Sequence, residues 1–179
     1  MKYPNMEWGT MEALVNKLGG EEGVKGFLSG LSRVVPSSLI SINRHLGYCD
    51  DFLPTGLWTE IESDQRSKRL TALDLRDVRL LPRPLNGIPN LTGEEKLNLL
   101  KESDEVRLDA RILEIAFRDP RVIPKEWKNK DIYFDGSVFL TASSYTRTVL
   151  CLRGDEHGWR YSPDPLKWIN DLEGWTAVL

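Results

Sequence analysis

Near the N-terminus, apolar residues recur at the spacing of an amphipathic helix. After Thr10, a good helix N-cap, four of them stand at positions i, i+3, i+4 and i+7: Met11, Leu14, Val15 and Leu18. Gly19 and Gly20 then end the helix, since glycine adopts the left-handed conformation of a helix C-terminus without strain. The same spacing returns further on: Val24, Phe27, Leu28 and Leu31. The pattern predicts a helical hairpin in residues 1–34, which is too short to be stable alone and is expected to dock.

From Pro36 onward the period of the pattern changes. Leu39–Ile42 predicts a short strand, and the alternation of apolar and polar residues predicts further strands at Trp58–Glu62 and between Leu73 and Leu80. The charged segment Ser63–Arg69, which lies between these strands, is predicted to be a loop.

Two capping signals predict helices in the middle of the chain. In the run Thr92-Gly-Glu-Glu95, the threonine side chain is expected to accept a hydrogen bond from the N3 amide, and the glutamate side chain to accept one from the N-cap amide. This capping box predicts a helix to about Ser103. Asp109 is predicted to cap a second helix, which Asp119-Pro120 ends. The apolar face of this second helix consists of Ile112, Leu113, Ala116 and Phe117.

The C-terminal part of the chain is rich in β-branched and aromatic residues. These predict four strands: Ile132–Leu140, Thr148–Arg153, Gly158–Tyr161 and Trp175–Leu179. Turns are predicted at Asp135-Gly136, Gly154-Asp155 and Gly174. The predicted fold class is α+β: an N-terminal helical hairpin (residues 1–34), then a domain of residues 35–179 with central helices and a small antiparallel sheet in residues 131–179.

Composition places the chain among ordinary globular proteins. Of its 179 residues, 40% are hydrophobic and 28% are charged. No apolar stretch is long enough to span a bilayer, and no apolar signal region follows Lys2. Cys49 and Cys151 stand far apart without a CxxC spacing, which is typical of free thiols in a cytosolic protein. We therefore expect a cytoplasmic protein that does not associate with membranes.

Several runs of the chain resemble a family of hypothetical proteins predicted from genomes of uncultivated, small-genomed bacteria. The run Thr10-Met-Glu-Ala-Leu-Val-Asn-Lys-Leu-Gly-Gly-Glu-Glu-Gly-Val-Lys-Gly-Phe-Leu28 is similar to the opening of many of them. Other runs look like one subgroup: Leu70–Leu81, Gly93–Leu97, Arg107–Ala110, Ile123–Lys128, Ile132–Gly136 and Val149–Leu152. The resemblance covers most of the chain and implies a common docking hairpin joined to divergent recognition parts. The family has no assigned activity, so the resemblance transfers no site residue.

The local motifs of common catalytic sites are missing from the sequence: there is no P-loop, GxGxxG, HExxH, GxSxG or EF-hand pattern. We therefore expect no cofactor. The densest set of metal-ligand residue types is His45, Cys49, Asp50 and Asp51. An imidazole, a thiolate and two carboxylates so close together suit a transition metal, which makes a metal- or carboxylate-dependent hydrolase one alternative. The other interpretation of this segment is a surface loop with a half-buried Cys49.

Aromatic residues offer a second kind of site. The chain contains six tryptophans, of which three lie near the C-terminal end: Trp159, Trp168 and Trp175. Trp159 and Tyr161 share one strand face and are predicted to lie in the core. Trp168, in the segment Pro165–Asp171, is predicted to be an exposed anchor. The candidate binding residues are Trp168, Trp175 and Tyr145.

Charge is uneven along the chain, whose net charge is −3. Residues 65–130 carry 15 basic and 11 acidic side chains, so the middle of the chain is positive. The best set of phosphate contacts there is Arg66, Lys68, Arg69, Arg76, Arg79 and Arg83. Asp64, Asp74 and Asp77 interrupt this set, which favours a solvated surface of mixed charge. Nucleic-acid binding through the basic middle is a second alternative.

The absence of catalytic motifs, the short hairpin and the tryptophan-rich end together indicate a non-enzymatic binding or adaptor protein. Its hairpin is expected to dock, and the surface near the aromatic C-terminal sheet is expected to recognise the partner. The expected partner is another protein, because aromatic residues are favoured at protein interfaces.

Overall fold

The computed structural model describes residues 15–17, 20–21, 24–25, 38–82, 91–168 and 174–179. Contacts within the chain divide it into two compact units, Met1–Pro36 and Ser37–Leu179. The described residues of the first unit are helical, and the rest of the predicted hairpin (residues 1–34) lies outside the described residues. All the elements named below belong to the second unit.

Eight strands are found in the described part of this second unit. They are β1 (Leu39–Ser41), β2 (Trp58–Ser63), β3 (Ala72–Asp74), β4 (Arg79–Pro82), β5 (Asp131–Thr141), β6 (Arg147–Asp155), β7 (Gly158–Pro165) and β8 (Gly174–Val178). β1 and β3 form a two-stranded antiparallel sheet, and the other six strands form one large sheet.

Between the strands of the second unit, the described residues form three α-helices: α1 (Gln65–Lys68), α2 (Gly93–Glu102) and α3 (Ala110–Arg118). Turns of 3₁₀-helix cover Pro120–Val122, Lys125–Trp127 and Leu166–Trp168. Within the described ranges, no helix is both long enough and apolar enough to cross a membrane.

Strand β5 is the centre of the large sheet, in which five strands follow the order β4-β8-β5-β6-β7. On one side β5 pairs with β6. On its other side it pairs in parallel with β8 through residues 131–133 and antiparallel with β2 through residues 137–141. Strands from the middle and from the end of the chain therefore share one edge of β5.

The predicted fold class, α+β with a small C-terminal sheet, is wrong. The protein is mostly β, and its large sheet includes β2 and β4 from the middle of the chain. The error has a physical cause, because periodicity detects a strand from its own residues whereas pairing joins residues far apart in sequence. The alternation at Trp58–Glu62 and Leu73–Leu80 indicated strands and gave no information about their partners.

Both faces of β5 and β6 are buried. Ile132, Phe134 and Leu150 lie in the main core, which also contains the apolar face of α3. Tyr133 and Val149 point the other way, into a second cluster that includes Leu97 of α2. Because successive residues of a strand point to opposite faces, a strand covered on both sides appears in sequence as a continuous apolar run.

The predicted helix caps in the middle of the chain are confirmed. Thr92 Oγ1 accepts from the Glu95 N–H at 3.3 Å, and the Glu95 carboxylate accepts from the Thr92 N–H at 2.8 Å. Asp109 caps α3 by accepting from the N–H groups of Arg111 and Ile112. These predictions succeed because each cap involves residues within a single helical turn.

Two local predictions are wrong. The segment Ser63–Arg69, predicted to be a loop, contains α1, whose first turn is capped by the Asp64 carboxylate. Asp135-Gly136, predicted to be a turn, lies inside β5, where pairing with β6 shifts register between Phe134 and Phe139. The glycine therefore marks a bulge within one long strand.

Gly136 is required by the close approach of the chain segment that precedes α3. Its N–H donates to Leu108 O at 2.9 Å, and its carbonyl oxygen accepts from the Asp64 N–H at 2.8 Å. A Cβ at this position would lie 2.6 Å from Leu108 O and closer still to Arg107 O. There is no space for a side chain, so backbone packs directly on backbone here.

We expect Gly136→Ala to destabilise the protein by about 3 kcal/mol, because backbone atoms must move to admit the methyl group. The measurement is urea unfolding followed by tryptophan fluorescence. Gly47→Ala is the control, since a Cβ there meets nothing within 4 Å, and it should change stability little. Equal unfolding midpoints for the two variants would contradict the close approach at Gly136.

Candidate functional site

A cleft of about 460 Å³ opens beside β2. Its wall is formed by the segment after β1, by β2, by α1 and by the first turn of α3. The lining includes Arg44, Gly47, Tyr48, Glu60, Lys68 and Arg111, and we call this site the cationic cleft. Its volume lies in the range of sites that hold a small molecule or a side chain of a partner.

Arg44 is fixed in the wall of the cationic cleft by three acceptors. Its Nε donates to Leu70 O at 3.0 Å, and its Nη2 donates to Ser67 O at 2.7 Å. Its Nη1 lies 2.9 Å and 2.8 Å from the two carboxylate oxygens of Asp109. These bonds set the plane of the guanidinium group, whose geometry is rigid.

The Asp109 carboxylate is fully buried and connects three parts of the structure. It accepts from the Arg111 N–H at 2.9 Å in the first turn of α3, and from Ser67 Oγ at 2.7 Å in α1. Its third partner is Arg44. A buried carboxylate is stable only when such hydrogen bonds replace water, so Asp109 depends on all three elements.

Glu60, on β2, is bound by three side chains. Lys68 Nζ lies 2.9 Å and 2.8 Å from its two carboxylate oxygens. Ser137 Oγ donates at 2.6 Å, and the Tyr48 hydroxyl donates at 3.4 Å. Burial, together with the charge of Glu60, raises the pKa of Tyr48 above its ordinary value, so the phenol stays protonated.

Glu114, on α3, is fully buried and is shared by two arginines. Arg111 Nη1 donates to one of its oxygens, and Arg118 Nε lies 3.3 Å from the other. Arg111 Nη1 also donates to Gly47 O at 3.2 Å. One carboxylate thus faces two guanidinium groups, which leaves this cluster beside the cationic cleft with one excess positive charge.

Cys49 is exposed, whereas the surface-loop interpretation of its segment expected a half-buried thiol. A hydrogen bond to the Glu114 carboxylate, with a smaller effect of burial, raises the pKa of the thiol above its ordinary value. The Cys49 N–H donates to the same carboxylate at 3.0 Å. Cys151 is buried, and burial raises the pKa of that thiol as well. Both cysteines are therefore thiols, not thiolates, at neutral pH.

The residues predicted as possible metal ligands make other contacts. His45 is exposed, and its N–H donates to Asn43 Oδ1 at 3.0 Å. The Asp50 carboxylate accepts from the hydroxyl and the N–H of Thr55, which lowers its pKa. Asp51 is exposed. Within the part of the chain that the structure describes, no three His, Cys, Asp or Glu side chains are grouped to hold a metal ion.

Two of the three predicted binding aromatics lie at opposite ends of β5. Trp175 lies beside Ile132 in β8 and packs against the main core. Tyr145 lies in the turn between β5 and β6 and is 79% exposed. Trp168 is the last residue of a 3₁₀ turn, and its side chain lies outside the described residues. Trp159 and Tyr161 pack against the main core, as predicted.

Most of the basic residues considered as phosphate contacts are paired with carboxylates. The pairs are Arg66–Asp64, Lys68–Glu60, Arg76–Asp74 and Arg79–Glu105. Arg69 is exposed, and Arg83 lies outside the described residues. These pairs form a surface of mixed charge, which weakens the attraction for a polyanion.

Sequence patterns did not reveal the cationic cleft. Arg44 stands in an irregular segment, and Lys68 appeared only as one of several basic residues. Asp109 was identified as a helix cap, but its contact with α1 joins residues more than forty positions apart. No local signal predicts this site, because its wall is assembled from four separate segments.

Comparison of the chain with protein-family models, with curated proteins and with solved structures gives no match. The chemistry of the cationic cleft is therefore the guide to function. It consists of three cations and a carboxylate, arranged around a space that a ligand can enter.

We expect Asp109→Ala to cost about 3–5 kcal/mol of folding free energy, because Arg44 and the first turn of α3 lose a buried acceptor. Chemical denaturation measures the loss. Asp119→Ala is the matched control, because it removes a surface ion pair with Arg121 and should have little effect. Losses of similar size in the two variants would argue against the role given to Asp109.

We expect Cys49 to react slowly with iodoacetamide at pH 7 and faster as the pH rises, because the thiolate is the reactive form. Glu114→Gln should accelerate the reaction severalfold, since a neutral amide no longer opposes the thiolate. Mass spectrometry of the labelled peptide gives the rate, and buried Cys151 is the internal control. An unchanged rate in Glu114→Gln would show that the carboxylate does not govern this thiol.

Proposed function

We propose that the protein is a non-enzymatic binding or adaptor protein that acts in the cytoplasm and binds another protein. The observation that supports this most is the protonation state of two reactive groups, Tyr48 in the wall of the cationic cleft and its neighbour Cys49. A nucleophile or general base works best with a pKa near the operating pH. The pKa values of Cys49 and Tyr48 are raised instead, so both groups keep their protons.

The carboxylates around the cationic cleft also favour binding over catalysis. Glu60 is bound by Lys68 and Ser137, and Asp109 by Arg44 and the start of α3. Glu114 is bound by two arginines. Each carboxylate therefore holds a cation in place, and fixed cations suit recognition of a charged group on a partner.

Exposed apolar residues at the cationic cleft and along β2 offer a surface for a protein partner. Leu46, at the cleft, is 62% exposed. Leu57 and Ile61 are 56% and 46% exposed, next to and within the strand that supplies Glu60. Large apolar side chains that remain exposed around a polar site are typical of interfaces.

This proposal moves the recognition surface away from the aromatic C-terminal end. Trp175 packs against the main core and is partly buried, whereas Leu57 is exposed and can contact a partner. The predicted hairpin in residues 1–34 keeps its role as a docking element. The resemblance to the family of hypothetical proteins that share this hairpin supports that part of the proposal.

Photocrosslinking with the full chain tests the proposed function. We expect Leu57→p-benzoylphenylalanine to form an adduct with another polypeptide in native lysate, because this position lies on the proposed interface. Glu156→p-benzoylphenylalanine is the control, at an exposed position in the turn between β6 and β7. Identical adducts from both positions, or none from position 57, would overturn the proposal.

A further inference from the structure

The charges around the cationic cleft do not balance. Three cations line the cleft: Arg44, Lys68 and Arg111. A fourth, Arg118, shares the Glu114 carboxylate with Arg111. The carboxylates that pair with them, among the described residues, number three: Glu60, Asp109 and Glu114. The excess positive charge lies on the triad of Arg111, Glu114 and Arg118, of which Arg111 lines the cleft.

Arg111, which lines the cationic cleft, has donor groups without an acceptor. Its Nη1 is used for Gly47 O and for Glu114. Its Nε is buried and has no acceptor in the described structure, and no described residue accepts from its Nη2. The buried Nε does not face the open space of the cleft, whereas Nη2 is accessible. Nη2 is therefore the donor of Arg111 that can take a new acceptor from a ligand.

Arg44 and Lys68 can contribute to the same acceptor. Arg44 Nη2 carries two N–H groups, and Ser67 O is its acceptor in the described structure. Lys68 Nζ carries three, and Glu60 is its carboxylate partner. Their side chains are 17% and 27% exposed, so an incoming group can reach both without unfolding the wall.

We propose that the cationic cleft binds one carboxylate, carried by an acidic side chain or by the C-terminus of a partner protein, between Arg44, Lys68 and Arg111. This inference rests on the proposed binding function and names the group that the site recognises. The fork of N–H groups on a guanidinium matches the two oxygens of a carboxylate and forms strong charge-assisted hydrogen bonds.

A single negative charge fits the cationic cleft better than a phosphate group does. The uncompensated charge is one, and Glu60 in the wall repels a dianion more strongly than a monoanion. The volume of about 460 Å³ also leaves room for the chain that carries the carboxylate. Leu46, which lines the cleft and is exposed, offers an apolar contact to a neighbouring residue of the partner.

Titration of the full chain with short peptides, followed by amide NMR, tests the inference. The probes are acetyl-Ala-Ala-Glu-Ala-Ala-amide for a side-chain carboxylate, acetyl-pentaalanine with a free C-terminus for a terminal carboxylate, and acetyl-Ala-Ala-Gln-Ala-Ala-amide as the neutral control. At least one carboxylate probe should bind about tenfold more tightly than the glutamine peptide, and it should shift the amides of residues 44–48 and 111. The better of the two identifies the source of the carboxylate.

Two variants of the cleft and one control variant outside it keep the test independent of folding defects. Lys68→Gln removes one positive charge from a partly exposed position and should abolish the preference for the carboxylate probe. Gly47→Trp places a bulky side chain where a Cβ meets nothing, and it should block binding by occupying the cleft. Arg79→Gln removes an exposed arginine outside the cleft and should bind the probe as the wild type does.

Three outcomes would overturn the inference: no preference for either carboxylate probe, inorganic phosphate binding as tightly as the better probe, or unaltered binding in Lys68→Gln. None of these outcomes bears on the proposed function, which is tested separately by photocrosslinking at position 57. Conversely, tight carboxylate binding without any protein adduct would retain the cationic cleft as a carboxylate site and reject the protein partner.

Discussion

Burial of the Asp109 carboxylate is the constraint on which the candidate site depends. Water cannot reach this group, so hydrogen bonds from α3, from Ser67 of α1 and from Arg44 must replace it. These partners are far apart in the chain, and satisfying one carboxylate therefore sets their relative positions. The cationic cleft is the space left between these elements and β2.

The large sheet also positions the residues of the candidate site. Gly136 brings the backbone of β5 against residues 107–108, immediately before Asp109. One residue further along β5, Ser137 Oγ accepts from the Ala110 N–H at 3.2 Å and donates to Glu60. The bulge in β5 thus positions both the start of α3 and a carboxylate of the cleft wall, so core packing and site geometry are not separable.

Local chemistry in the sequence was enough to predict individual elements. It did not predict contacts between residues far apart in the chain. The Thr92 capping box and the Asp109 cap are confirmed, because all the atoms involved lie within one turn. The fold class was wrong because pairing of β2 with β5 joins residues nearly eighty positions apart. The cleft was missed for the same reason: Arg44 and Asp109 are separated by 65 positions, and no periodicity reports such a contact.

The position of β8 has a consequence for how the chain folds. β8 lies between β4 and β5, so the six-stranded sheet is divided until residues 174–178 arrive. On the ribosome, β4 is made almost a hundred residues before its neighbour β8. The edge of β4 that pairs with β8 therefore stays unpaired until β8 is made. Closing so large a loop is entropically costly and slow, which delays completion of the sheet until long after β4 is synthesised. An exposed edge during that interval is a hazard for misassembly.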